Sequence, residues 1–354
     1  MNERAVAAVV VLSLGGIALA GDPPPMYTIT DLGLFLGLRP NPFDLNNAGQ
    51  VVVSVRPSGQ DDRTAIWQDG VFEELPLLPG TTRGIARAIA DDGTVAGSCG
   101  PFDALLATVW IDGVPTDIGS LGGPLTDIMH ISPAGVISGY GRLYDGGPTH
   151  GFLYRDGVMT DLGAPLGFEG SFADVCDDAG NVAWCWGDEH EKYTPHYWDA
   201  EDGIRSMASL GGVDCLIFDM NNAGLIVGWA NDGRVDDEPA FLVHLPVVWF
   251  NGGVDRLELP PGFNSGEARS VNEKGLIVGQ ARNFAQGTAA AVVWLDGQVV
   301  LLQSRLENGA GWTLATATAC NDAGQIIGIG TLNGQSRAFL LTPTEPRSTE
   351  EVKP

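Results

Sequence analysis

Basic side chains are scarce in this 354-residue sequence: 19 Lys and Arg stand against 44 Asp and Glu, a formal net charge of −25. A surface of that sign repels phosphate backbones and anionic bilayers, which excludes nucleic-acid binding as a role. Long apolar runs are missing after the first 20 residues, so no membrane insertion is expected. Cysteine is sparse and odd in number, and Cys99, Cys176, Cys185, Cys215 and Cys320 include no Cys-x-x-Cys pair. This argues against a disulfide framework and against a zinc site, and it leaves at least one thiol unpaired in a monomer; pairing among the rest stays open. No Gly-x-Ser-x-Gly elbow, Walker loop, dinucleotide fingerprint or EF-hand loop occurs.

Punctuation, by contrast, is abundant. Glycine (49) and proline (22) make up about a fifth of the chain, spread evenly, and 44% of residues are apolar. That composition fits many short strands joined by turns and disfavours a helical bundle. At the N-terminus Arg4 precedes an apolar run, Ala5 to Leu14, which Gly15-Gly16 interrupt, and Ala18-Leu19-Ala20 suits a signal peptidase. Residues 1–20 therefore read as a signal peptide cleaved before Gly21, with export to the periplasm, cell surface or medium. Residues 344–354, poor in apolar side chains, read as a flexible C-terminal tail.

Between them runs a repeat. A four-residue turn, Asn/Asp-x-x-Gly in five copies with Ala90 and Ser132 in the first place of the other two, recurs with its glycine at 49, 93, 135, 180, 224, 275 and 324. Two residues on stand Val51, Val95, Ile137, Val182, Ile226, Ile277 and Ile326, all β-branched and suited to a buried strand. Four residues on, five copies have a second glycine (97, 139, 228, 279, 328), where a neighbouring group can approach closely. Cys176 and Cys320 fall four before the turn glycine, where other copies have Leu45, Ile89, Ile131, Met220 and Val271, so both read as buried small hydrophobes. Each unit continues into a strand that ends in Trp67, Trp110, Tyr154, Trp198, Trp249 or Trp294, then an Asp-Gly or Asn-Gly hairpin signal and a short alternating strand.

Four antiparallel strands in 40 to 50 residues are one propeller blade. The seventh copy ends at Phe339-Leu340-Leu341 without a fourth strand, while Tyr27–Leu32 is a fourth strand without a third before it. The expected fold is thus all-β: a single seven-bladed β-propeller over 21–343, its four-stranded antiparallel blades closed into a ring by the N-terminal strand. The Trp series is expected in the core between blades.

The phrases His150-Gly151-Phe152-Leu153-Tyr154 and Met220-Asn221-Asn222-Ala223-Gly224 resemble the HAF repeat of bacterial extracellular proteins. Only His150 and Phe152, and Ala338-Phe339, match the naming triad, and the likeness covers roughly residues 26 to 342. It implies an exported bacterial repeat protein and supplies no reaction and no catalytic residue.

Chemistry-bearing clusters are few. Asp188, Glu189, His190 and His196 offer the mixed carboxylate and imidazole ligands of a divalent metal, but their spacing fits no helix-borne pair. A solvated acidic loop is the favoured reading there, and no cofactor is expected. The informative asymmetry lies in the connections. First-to-second and third-to-fourth strand turns are short and uniform, whereas second-to-third and blade-to-blade connections vary and carry Arg142, Tyr144, Trp186, His190, Tyr193, Arg234 and Trp312. Variable loops on a rigid scaffold are where ligands bind. The expected function is a secreted, non-enzymatic module binding a glycan, peptide or protein on that face. An exported polysaccharide hydrolase or lyase is the alternative, and a purely structural envelope protein a third; a convergent, shielded acid/base pair would favour the hydrolase.

Overall fold

The computed structural model describes residues 24–166, 168–187, 192–233 and 243–344. The expected signal peptide, the tail from residue 345, and Asp188, Glu189, His190 and Arg234 lie outside them. Seven four-stranded antiparallel sheets succeed one another along the chain. Blade one comprises Asn41–Leu45, Val51–Val55, Arg63–Gln68 and Val71–Glu74. The next five keep that order, their first strands beginning at Gly84, Thr126, Val175, Cys215 and Ser265. Blade seven runs Trp312–Cys320, Ile326–Leu332 and Gln335–Pro343, and its fourth strand is Tyr27–Asp31, from the other end of the chain. The register runs from Tyr27 opposite Pro343 to Asp31 opposite Phe339, so the ring closes as the two incomplete repeats require.

The second strands are mostly apolar and buried where they meet a neighbour, as in Val51–Val55, in which Ser54 is the one polar residue, because each blade is covered on both sides. Trp67, Trp110, Trp249 and Trp294 are buried between blades, and three of them donate an indole N–H to the preceding blade: Trp110 to Pro76 O (2.7 Å), Trp249 to Ala208 O (2.9 Å) and Trp294 to Glu258 O (2.7 Å). Tyr154 and Trp198 are half-buried. The repeat glycines 97, 139, 228, 279 and 328 face a β-bulge in the first strand, and a β-carbon at any of them would intrude on the first-strand carbonyl of Ile85, Asp127, Leu216, Glu267 or Thr316. Blade four has Trp184 at this place, and its first strand shrinks to Val175–Cys176.

The hairpin turns are type I′, with both central residues at positive φ, for example Asp69 (49°) and Gly70 (87°). Blade four departs here too: the turn has three residues, 200–202, where the others have two, and the Asp199 carboxylate accepts the Glu201 and Asp202 N–H groups. Cys185 and Cys215 form a disulfide between blades four and five, whereas Cys99, Cys176 and Cys320 are free and buried. No helix among the described residues is long and apolar enough to cross a membrane.

Candidate functional site

Since neighbouring strands are antiparallel, first-to-second and third-to-fourth turns emerge on one face of the ring and all other connections on the opposite face. The turn face is spent on closure. The residue two before the turn glycine, or in blade three Ala134 one before it because Pro133 has no N–H, binds the next blade: Asn47 N–H to Asp91 Oδ1 (3.0 Å), Asp91 N–H to Pro133 O (3.1 Å), Ala134 N–H to Asp178 Oδ1 (2.8 Å), Asp178 N–H to Asn222 Oδ1 (2.8 Å), Asn222 N–H to Glu273 Oε1 (2.9 Å), Glu273 N–H to Asp322 Oδ1 (2.8 Å) and Asp322 N–H to Asn47 Oδ1 (2.8 Å). Seven interfaces thus form one closed circle of hydrogen bonds.

Inside that circle lies a cavity of about 80 Å³ onto which Asp44, His130 and Asp219 face. Burial pushes Asp44 up to about 7 and Asp219 up to about 6, and it pushes His130 down to about 4. These are the nearest approach to a shielded acid/base group. Their oxygens are already used: Asp44 accepts the Leu45 (2.8 Å) and Ile89 (2.9 Å) N–H groups, and Asp219 accepts Met220 N–H (2.8 Å), Val271 N–H (2.9 Å) and Ser270 Oγ–H (2.8 Å). The space suits two or three waters and is too small for a sugar ring. The two carboxylates serve as latches from one blade to the next.

Two further carboxylates sit higher, in first strands. Asp127, buried, accepts Ser98 Oγ–H (2.5 Å), the Arg87 guanidinium (3.0 Å) and Tyr140 Oη–H (3.2 Å). Burial alone would raise Glu267, yet the hydrogen bond from His244 and the charges of Arg269 and Arg282 hold it at about 2. A carboxylate so held is a permanent anion and no general acid.

The loop face is different. Four aromatic side chains stand well exposed there: Phe102 (65%), Tyr144 (61%) and Phe284 (42%) in the second-to-third strand connections of blades two, three and six, and Tyr193 (42%) at the start of the third strand of blade four. Arg83 lies 3.4 Å over the Phe102 ring while paired with Asp62 (2.6 Å). Tyr193 covers Gly187, beside the half-buried Trp186, which meets Phe172 edge-on at 4.3 Å between ring centres. Phe172 in turn lies 4.4 Å from Tyr140, two residues before Arg142. The sequence-based set thus converges in part: Arg142, Tyr144, Trp186 and Tyr193 gather around blades three and four. Trp312 does not join them. It is 8% exposed, edge-on to Phe339 and packed with Tyr27, because ring closure roofs it over. His196 is also buried, stacked on Trp184 (5.5 Å) with Phe168 edge-on (5.3 Å), and burial lowers its basicity; it is a core imidazole. Among the described residues no group of three or more His, Cys, Asp or Glu is placed to hold a metal. Tyr140, Phe172 and Phe102 were not singled out by the sequence; strand alternation from Arg142 was the one signal that pointed to Tyr140.

No protein-family model matches the chain, and no curated protein sequence does. Solved structures match by fold. A prolyl endopeptidase structure aligns with a TM-score of 0.55 at 12% identity, over 91% of this chain and 51% of that one, so this chain spans about half its length. YCF48 bound to D1 peptide aligns at 0.53 and 10% identity, over 92% and 99%. The β-propeller domain of the Trilobed protease from Pyrococcus furiosus, described as having an open velcro topology, aligns at 0.51 and 11%, over 94% and 100%. At these identities the likeness is one of β-propeller fold.

Proposed function

We propose that this chain is an exported, non-enzymatic HAF-repeat propeller that binds a glycan, peptide or protein outside the cytoplasm, on the loop face. One observation carries the binding role: the strongly exposed aromatic rings of the strand connections and of the Tyr193 strand end all stand on that face, in four different blades. Exposed aromatic surface costs solubility unless a ligand covers it, and such rings supply most of the energy of a binding site. The Cys185–Cys215 disulfide supports an oxidising compartment, in keeping with the signal-like residues 1–20. The hydrolase alternative has less support, since the axial acids are engaged and their cavity is small.

The test is an array of bacterial cell-wall glycans and synthetic peptides probed with the purified mature chain and with the triple variant Phe102→Ser/Tyr144→Ser/Phe284→Ser. Binding by the wild type that the variant lacks is the expected result. A variant with unchanged binding, or polysaccharide cleavage by the wild type, would overturn the proposal. Intact mass of the exported chain should place its first residue at Gly21.

A further inference from the structure

We infer that the loop-face junction of blades three and four holds a peptide by its free C-terminal carboxylate and the apolar side chain next to it. This rests on the loop face being the binding face and goes further by naming the occupant. Three half-buried rings form one wall across the blade junction. Tyr140, on the second strand of blade three (Ile137–Arg142), lies 4.4 Å from Phe172, and Phe172 lies 4.3 Å from Trp186 on the second strand of blade four (Val182–Gly187). Their planes are tilted by 50° and 82°, so the three rings present angled edges and no flat platform. A pyranose stacks on a flat exposed ring, whereas angled rings pack against an apolar side chain.

Alternation along the strand puts Arg142 on the same side as Tyr140. Several loop-face guanidiniums are spent, Arg56 and Arg83 on Asp62, Arg87 on Asp127, Arg269 and Arg282 on Glu267, while Arg39 and Arg305, which also have no acidic partner among the described residues, lie in the connections into blades one and seven, away from these rings. Arg142 has no acidic side-chain partner among the described residues, in a protein where acids outnumber bases by more than two to one. Its backbone is fixed on both sides, the N–H bound to Leu125 O (2.9 Å) and the carbonyl accepting Gly123 N–H (2.8 Å), so the cation is presented from a rigid strand end. A half-buried, unpaired guanidinium beside apolar rings calls for a carboxylate, and its planar fork binds one through two parallel hydrogen bonds. The charge of −25 repels a polyanion but only weakly opposes a single carboxylate, and a chain end supplies one carboxylate beside one side chain.

Fluorescence polarisation of the full mature chain, disulfide intact, tests this at about 0.15 M ionic strength. The probes are labelled dodecapeptides of mixed sequence ending in Leu, Phe or Val, each as free acid and as C-terminal amide, with labelled oligogalacturonate as the acidic-sugar arm. Free acids are expected to bind at least about tenfold more tightly than amides. Arg142→Gln should abolish that preference and Arg142→Lys keep part of it. Trp186→Phe should weaken both forms, and Arg256→Gln, on the outer strand of blade five, should change nothing. Melting temperatures show that each variant is folded. Equal binding of acid and amide, or a preference that survives Arg142→Gln, overturns the inference; if the triple loop-face variant still loses binding, the loop-face reading stands without it. Binding of oligogalacturonate alone also overturns the inference and leaves the loop-face reading intact. No binding by any probe or array overturns both.

Discussion

A hydrogen atom is all that fits at Gly97, Gly139, Gly228, Gly279 and Gly328, because the bulged first strand presses a carbonyl into the space a β-carbon would take. Gly228→Ala must push Leu216 O aside and is expected to cost about 1–3 kcal/mol, read as a lower urea midpoint at unchanged slope. Trp110→Ala empties a buried indole site and should cost about 3–5 kcal/mol, more than Asp112→Ala in the adjacent turn. Buried acids, the axial pair Asp44 and Asp219 together with Asp174 in the connection into blade four, predict a pH dependence. Burial raises Asp44 and Asp174 to about 7 and Asp219 to about 6, so their contribution is complete below the usual carboxylate range and is lost as pH climbs through these values. His130, pushed down to about 4, runs oppositely: its contribution is present above its usual value and is lost as pH falls toward 4. Three raised acids outweigh the two lowered imidazoles, His130 and His196, so stability should fall between about pH 4 and pH 7, and Asp44→Asn/Asp219→Asn should flatten that slope. Urea midpoints that rise across this range would contradict it. The glycines were legible in the sequence because all five recur in phase. The axial acids were not, because the place five before the turn glycine reads Asp44, Ala88, His130, Val175, Asp219, Ser270 and Ala319, and its meaning appears only when the blades meet around the axis.

Among the strands, the closing one is held on both edges. Tyr27–Asp31 pairs with Gln335–Pro343 on one side. On the other, Asn308 bonds both polar groups of Ile29 (2.8 and 3.2 Å), and Glu307 N–H donates to Tyr27 O (2.9 Å). Deleting Met26 to Gly33 strips this strand and exposes Trp312 and Phe339, with an expected loss of several kcal/mol or aggregation, visible by light scattering. Asn308→Ala removes only the outer clamp and should cost about 1–2 kcal/mol in the same urea assay. Split repeats at the two chain ends made the closure readable. The clamp was not readable, since residues 306–308 belong to a blade-to-blade connection with no counterpart in other copies. Nor was the shortened first strand of blade four, where a bulky Trp184 replaces glycine.

Taken whole, the molecule has one face given to holding itself together and one left for something else. Direction of exposure, not composition, makes the distinction, so sequence could locate the variable face but could not show which side chains meet there. Tyr140, Phe172 and Trp186 come from two units and touch only after the blades pack. Trp312 stands with Trp186 among the sequence candidates but lies in the core instead. On the turn face every blade gives one N–H to its successor and receives one from its predecessor, all in the same sense around the axis. Such a circle has no first member. Thr344 N–H reaches Met26 O at 2.8 Å, so the described chain ends abut like any two partners in the ring. A linker joining residues 344 and 26, with new termini opened at the Asn251-Gly252 turn, should therefore give a circular permutant with the same urea midpoint. Numbering begins somewhere in this molecule, but the forces that hold it do not.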